Sequence, residues 1–588
     1  MKHKWLKVIT LLMLIVGIFY WTSTVNGQVK KIEKLNPQLI QKVRPVTMVP
    51  KIIMNRVQLE SPQGMKVFRI QTLKVQPDLI QKLSIKYLFN VTPTVGQMSR
   101  TKLKKMHSRV QVYSSKENEF TKLMVNQDRG HIDLLPNLAK FEKMKVNLLS
   151  QSDALKAAAN YVAEIKLIPQ DVSRVAPKRV ITLGMSTQGQ NNANVVTPNT
   201  PKLQSVLFQR SIDGRSVLGN GSQLTVNLGD KGNVEGFQRK WNQLTPESIK
   251  NITFRTSDQV YNRIEDILKQ QFRGNVEIKV ETPQLVYFGN DNQFVQPAYV
   301  FKAIIISNEN KGKAYYAGVV EAMQNPPELL FEPTKDMLLP EEPKAQSAGM
   351  SSLPAPSTLD PDDPTVGRYV VREDSWDWVG DANDFRSGLE NGHCGGCAAI
   401  TFPQYYWNEQ RMFTTQDNYF ADSCNIALME GHGNHWLFST RSNCCDLVFL
   451  NNSGQPGYGK NAGGQMAYLI LKGCDIIPSP MELSNWPDPW WRIFKGLRQA
   501  IGFRTTMFIN DDISYIFGYY LARNCRILDS WFYATNSSSS YQWQRSHGGE
   551  VTGFGAVVMI PGHEGDGIYY TTPAPNATST GLTIWWQY

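Results

Sequence analysis

Cysteine is missing from the first 393 residues of the 588-residue chain. That excludes a disulfide framework from the larger part of the molecule and leaves it to fold on apolar burial. Charged side chains are scarce, 19% against 41% hydrophobic and 11% aromatic, a balance that excludes general disorder. Histidine is rarer still, eight in all. Between the first few residues and residue 325 only His107 and His131 occur, with no second histidine or cysteine near either, so neither a metal centre nor a catalytic imidazole is expected there. After Trp21 no apolar run approaches the ~20 residues that cross a bilayer. Lys and Arg are dispersed and no nucleic-acid-binding motif occurs, which argues against a nucleic-acid partner. No cofactor is expected.

What is present begins with a leader. Lys2, Lys4 and Lys7 precede the apolar run Val8 to Trp21, and Thr22-Ser23-Thr24-Val25-Asn26-Gly27 follows. A charged, an apolar and a small-residue region in that order mark an export signal. Residues 1–27 therefore read as a cleaved signal peptide, with an uncleaved N-terminal anchor as the alternative, and a secreted or cell-surface protein is expected. The length calls for two to four domains. Charge divides them: from residue 366 onward 14 Lys plus Arg stand against 20 Asp plus Glu, about −6, which leaves 48 against 31, about +17, for residues 1–365. Opposite net charges favour docking of the two parts within about a Debye length, roughly 8–10 Å. The basic part could also meet anionic cell-surface polymers.

Residues 28–150 read as an α+β region, with a strand from Val67 to Ile70, a helix around Asp78 to Tyr87, and strands near Val110 to Tyr113 and Lys122 to Asn126. Residues 151–325 place a helix on an antiparallel sheet and then repeat the order. Ser152 is the expected N-cap of an alanine-rich helix. Strands around Val206 to Arg210, Gln223 to Leu228 and Val234 to Trp241, separated by turns at Asp213-Gly214 and Gly229 to Gly232, make a meander. Thr256-Ser257-Asp258 opens a second helix whose Val260, Ile264, Ile267 and Leu268 form one apolar stripe, and four strands follow between Val276 and Ala322. The stretch from Phe208 to Ser222 resembles the PepSY and FTP-type modules of secreted metallopeptidase propeptides, a likeness that implies a chaperone or inhibitor of the enzyme that follows. A structural or adhesive module is the alternative. Residues 326–365 exchange apolar periodicity for proline and acids and read as an extended, protease-accessible linker.

Residues 366–588 hold the chemistry. Ile426-Ala427-Leu428-Met429 runs through Glu430-Gly431 into His432-Gly433-Asn434-His435, and Ala467-Tyr468-Leu469-Ile470-Leu471 runs through Lys472-Gly473 into Cys474-Asp475. Short apolar runs bounded by glycine predict buried parallel strands, whose carboxyl ends carry ligand sites in open α/β sheets. A thiol beside an imidazole there has what a cysteine nucleophile requires, and flanking glycines admit backbone N–H groups to an oxyanion. A strand closing in His-Gly and a later one closing in Cys resemble the caspase, gingipain and clostripain superfamily of cysteine peptidases, as does the helix-to-strand passage from Trp490 to Thr505. The domain is also similar to a family of uncharacterised secreted microbial proteins. The resemblance implies a three-layer α/β fold, with His432 as base, Cys474 as nucleophile, and the N–H groups of Gly433 and Cys474 as oxyanion donors. The sequence departs from the superfamily's usual pair before the nucleophile, having Lys472-Gly473.

Other constellations compete. His393-Cys394-Gly395-Gly396-Cys397 resembles the papain-like motif, which would make Cys397 the nucleophile and His547 its base. The same residues, with Cys444-Cys445, could form a zinc knuckle, or Cys394 and Cys397 a disulfide. His435 rivals His432, and Glu430, Asp446 or Asp475 could orient the imidazole. An odd cysteine count suits one free thiol, Cys474, and six oxidised partners. Eleven of the 14 tryptophans lie in this domain; Trp376, Trp378, Trp407, Trp436, Trp486, Trp490, Trp491 and Trp531 either line a cleft for sugars or aromatic side chains or fill the core. The tail Leu582 to Tyr588 reads as a final edge strand. The expectation is a cysteine peptidase acting on a peptide or protein, gated by its own N-terminal region. A catalytically silent secreted protein that binds protein or glycan is the alternative.

Overall fold

The computed structural model describes residues 49–71, 74–88, 110–114, 122–190, 199–247, 252–272, 275–290, 293–307, 313–330, 364–371, 376–394, 397–440, 447–539, 552–569 and 581–588, with 249 and 541. The leader, His107, Cys444, Cys445, Asp446, His547 and the linker from 331 to 363 lie outside them. In chain order the N-terminal part runs β1 (Lys51–Met54), β2 (Val67–Gln71), α1 (Pro77–Leu88), β3 (Val110–Ser114), β4 (Lys122–Asn126), β5 (His131–Leu134), α2 (Gln151–Glu164), β6 (Arg174–Gly189), β7 (Thr200–Ile212), β8 (Arg215–Leu218), β9 (Ser222–Leu228), β10 (Val234–Trp241), β11 (Gln243–Glu247), α3 (Ser257–Gln271), β12 (Val276–Val280), β13 (Gln284–Phe288), β14 (Phe294–Ser307) and β15 (Lys313–Glu321). The C-terminal part runs β16 (Thr365–Val370), α4 (Trp376–Gly392), β17 (Thr401–Trp407), β18 (Ile426–Glu430), β19 (Gly433–Asn434), β20 (Leu437–Ser439), β21 (Leu447–Phe449), β22 (Tyr468–Lys472), α5 (Trp490–Ile493), β23 (Gln499–Phe503), α6 (Ile513–Leu521), α7 (Ile527–Ser537), β24 (Gly555–Met559) and β25 (Gly581–Gln587). The architecture is α+β, rich in strands, with a large mixed sheet.

Local chemistry sets the N-terminal elements. Asp213 and Gly214 take positive φ, 50° and 79°, the left-handed pair that a two-residue hairpin between β7 and β8 requires. Thr256 caps α3 in a reciprocal box with Gln259, leaving few orphan amides in the first turn. At α2 the cap is Ser150 rather than Ser152: Ser150 is extended and its hydroxyl accepts from the Asp153 amide at 3.2 Å, while Ser152 is already inside the helix.

Strands β17, β16, β18, β22 and β23 lie parallel in that order. β24 and β25 follow antiparallel, and β25 pairs along its whole length with Leu183–Gly189 of β6. The expected edge strand is thus internal, and it joins the two parts of the chain in one sheet. All seven of its residues are buried, as a strand flanked on both sides demands.

One face of the parallel sheet carries α4, α6 and α7. Glycine lets α4 and α6 approach closely: a Cβ on Gly388 would lie 2.3 Å from the Tyr515 carbonyl oxygen, and one on Gly518 2.5 Å from that of Phe385. On the other face the described elements are single helical turns, α5 and the three-stranded piece β19–β21, packed by Met412, Phe413, Tyr458, Trp486 and Trp490. Trp378, Trp486, Trp490 and Trp531 are at most 1% exposed. These four fill the core and line no cleft, because indoles of that size are what closes the space between sheet and flanking elements. Trp407, Trp436 and Trp491 are half-buried, and the Trp376 side chain lies outside the description.

Candidate functional site

The parallel strands β18 and β22 are neighbours in register, Glu430 opposite Lys472. His432 and Cys474 therefore emerge from adjacent strands at the carboxyl edge of the sheet, where such folds gather their chemistry. The two loops touch backbone to backbone. The Gly431 amide donates to the Lys472 carbonyl at 3.1 Å, and a Cβ on Gly433 would lie 2.8 Å from the Cys474 carbonyl oxygen. Period-two alternation puts Glu430 and Lys472 on one face, the face of α4 and α6. His432 meets the indole of Trp378 edge-on, centroids 5.5 Å apart, and Cys474 belongs to the core cluster that includes Trp378 and Met507.

The thiol is closed in. It is 4% exposed, its sulfur accepts from the Met507 amide at 3.4 Å, and its S–H faces the Lys313 carbonyl of β15 at 3.8 Å. Its hydrogen-bonding partners are these two backbone groups and not the imidazole. Burial pushes its pKa up to about 12, so in this conformation it is a thiol rather than a thiolate. His435 sits exposed at the hairpin tip, its amide on Asn434 Oδ1 at 2.7 Å. Asp475 faces Thr506 at 3.5 Å, and Glu430 turns into a charged cluster described next.

Sequence reading missed that cluster. Lys472, 1% exposed, donates to Asp381 of α4 and to Asp511 at 2.9 Å. Asp511 also accepts from Tyr541 at 3.0 Å and from the Ile513 amide at 2.9 Å, and Glu430 accepts from Ser514 at 3.3 Å. Burial opposes the Lys472 ammonium, but Asp381, Asp511 and Glu430 outweigh it and hold its pKa above the ordinary value. Burial raises Glu430 to about 8 against the pull of Lys472, with Asp511 adding to the rise. Burial likewise raises Asp381 and Asp511. Three carboxyls around one ammonium in a desolvated space share protons instead of carrying three charges. The one sequence signal was the unusual lysine at the end of an otherwise apolar strand.

The remaining cysteines correct the expected pattern of six oxidised partners. Cys394 and Cys397 form a disulfide, whereas Cys424 and Cys525 are free and buried like Cys474. Each of the three is enclosed in the core, where no second sulfur is bonded to it. The bridge removes Cys397 as a free nucleophile in this state, and among the described residues no group of His, Cys, Asp and Glu could hold a metal ion.

Residues 406–553 match the model of a family described as Domain of unknown function (DUF6345). The matched span is about a quarter of the chain and includes His432, Lys472, Cys474 and Asp511. A crystal structure of an uncharacterized protein from Eubacterium rectale ATCC 33656 is similar at 12% identity, over 47% of this chain and 90% of that one, with a TM-score of 0.29. No curated protein matches the chain.

Proposed function

We propose that the chain is an exported, latent cysteine-peptidase-like hydrolase, with a caspase-like α/β domain behind N-terminal PepSY-like units that cover its site. The observation that carries this reading is that His432 and Cys474 each follow, by two residues, the end of one of two adjacent parallel strands paired in register as far as Glu430 and Lys472. The passage from the Cys474 strand through the turn of α5 to β23 adds support. In the open state His432 takes the thiol proton, the Cys474 sulfur bonds to the substrate carbonyl carbon, and the oxyanion meets the amides of Gly433 and Cys474. The amine leaves with the proton returned by His432, and water releases the acid from the thioester. The burial of the thiol under Lys313 and Met507 is what makes the described state latent.

One observation favours a second reading, a catalytically silent secreted binding protein: the thiol pairs with backbone and its pKa is pushed to about 12. Assay of the full chain against a peptide library, before and after limited proteolysis, separates the two. Hydrolysis abolished by Cys474→Ala and by His432→Ala, with the double variant no worse than either, supports the peptidase. No hydrolysis in any state, with Cys474 alkylation insensitive to His432→Ala, overturns it.

A further inference from the structure

We propose that Met507–Asp511 is a strap that closes the Cys474 site, and that it opens by parting from β15 while the β6–β25 ladder stays paired. The proposal deepens the reading of Cys474 as a nucleophile, but its test reads accessibility and not turnover.

Five consecutive residues face two ways. Inward, the Met507 amide donates to the Cys474 sulfur at 3.4 Å. Outward, the Ile509 amide donates to the Tyr315 carbonyl at 2.8 Å, and Asn510 meets Ala317 twice, its Oδ1 accepting from the Ala317 amide at 3.1 Å and its Nδ2 donating to the Ala317 carbonyl at 2.7 Å. β15 itself places the Lys313 carbonyl 3.8 Å from the same sulfur. Strap and strand therefore close over the thiol as one unit, and neither can leave it covered once they separate.

Met507, Phe508 and Ile509 are buried in the core, and the side of the strap nearest solvent is Asn510. Asp511 is fixed by Lys472 and Tyr541 in the buried cluster, and the Phe508 amide donates to the Tyr541 hydroxyl at 2.7 Å. Asn510, by contrast, is half-buried. Its two bonds to Ala317 are neutral and near solvent, the kind that contribute least to stability and open most readily. Seven residue pairs of β25 with β6, all buried on the β25 side, hold the rest of the interface. Opening at the strap asks for the loss of its bonds to β15 and of the buried contact between Phe508 and Tyr315; departure of the whole N-terminal part asks for the ladder as well.

The chain carries its own controls, because Cys424 and Cys525 are also free and buried. The full-length protein and its Asn510→Ala and Asn510→Asp variants are alkylated natively with iodoacetamide, and each cysteine is read by peptide mass mapping. The expected result is at least tenfold faster labelling of Cys474 in both variants, with Cys424 and Cys525 unchanged. Equal labelling of Cys474 in variant and wild type, or a parallel rise at all three cysteines, overturns the proposal. Should a variant fail to fold, hydrogen exchange on the unaltered chain decides: Met507 and Ile509 must exchange faster than Leu582–Gln587, and equal protection overturns it. Selective labelling without any hydrolysis would leave the strap standing and remove the enzyme.

Discussion

Glu430 is a residue whose protonation the fold decides. It faces Lys472 across the strand pair, Asp511 and Ser514 at the start of α6, and Asp381 and Asp384 on α4. Its folded pKa is raised from 4.5 to about 8, so between those values the native state holds a proton that the unfolded chain has released. Stability from this group is fully present below about pH 4.5 and is lost as pH rises through 8, with a slope of at most about 1.4 kcal/mol per pH unit for one proton. Glu430→Gln keeps the neutral shape without the titration. Thermal melts across that window should show a flatter dependence for the variant than for wild type and a higher Tm at the alkaline end; parallel curves would show that Glu430 holds no proton. Lys472→Met tests the same cluster from the other side. It leaves Asp381 and Asp511 buried without their cation, and denaturant unfolding should show a loss of about 3–5 kcal/mol. The site's thiol and imidazole were legible because glycine-bounded runs mark strand ends. The cluster was not, because Asp381 and Asp511 stand 91 and 39 residues from Lys472, a proximity only the helix packing of α4 on α6 creates.

At the scale of elements, period and punctuation carried most of the reading. The Asp213-Gly214 turn, the Thr256 cap and the strands bearing His432 and Cys474 all stand where local pattern puts them. What failed was the neighbourhood of an element. Leu582-Thr583-Ile584-Trp585-Trp586-Gln587 suggests alternation, but it has apolar residues facing both ways, and Trp585 and Trp586 are both fully buried. That is the mark of a strand covered on each face, and pairing with β24 and β6 covers its edges too. Likewise the helix expected after Pro489 shrinks to the single turn of α5, Trp490–Ile493, because Trp490 is drawn into the core and Gly496, at φ 106°, turns the chain toward β23. Deleting residues 581–588 should therefore do more than fray a terminus. It leaves the edges of β24 and β6 unpaired and removes two buried indoles. The truncated chain should be insoluble, or should lose the protease resistance of the region around β6. Unchanged melting and proteolysis would mean that the ladder contributes little.

For the whole molecule, net charge and contact chemistry give different expectations for how the two parts hold together. About +17 against about −6 predicts an association that weakens as salt screens it, since the Debye length falls to roughly 3 Å at 1 M. The interface is built otherwise. Tyr520 and Tyr533 donate to buried Asp133 at 2.7 and 2.6 Å. Lys122 donates to the Arg523 carbonyl at 2.7 Å, and the Leu138 amide to Asp529 at 2.9 Å. The β6–β25 ladder runs beside them. Hydrogen bonds and apolar contacts in a desolvated interface have no mobile ions between their partners, so screening does not reach them. A protease site inserted between residues 340 and 360 allows the test. After cleavage the two fragments should co-elute in size-exclusion chromatography at 0.1 M and at 1 M salt alike, ~tenfold apart in ionic strength, and should separate only in denaturant. Dissociation at high salt alone would assign the association to net charge; dissociation at both would show that the shared sheet needs the covalent link.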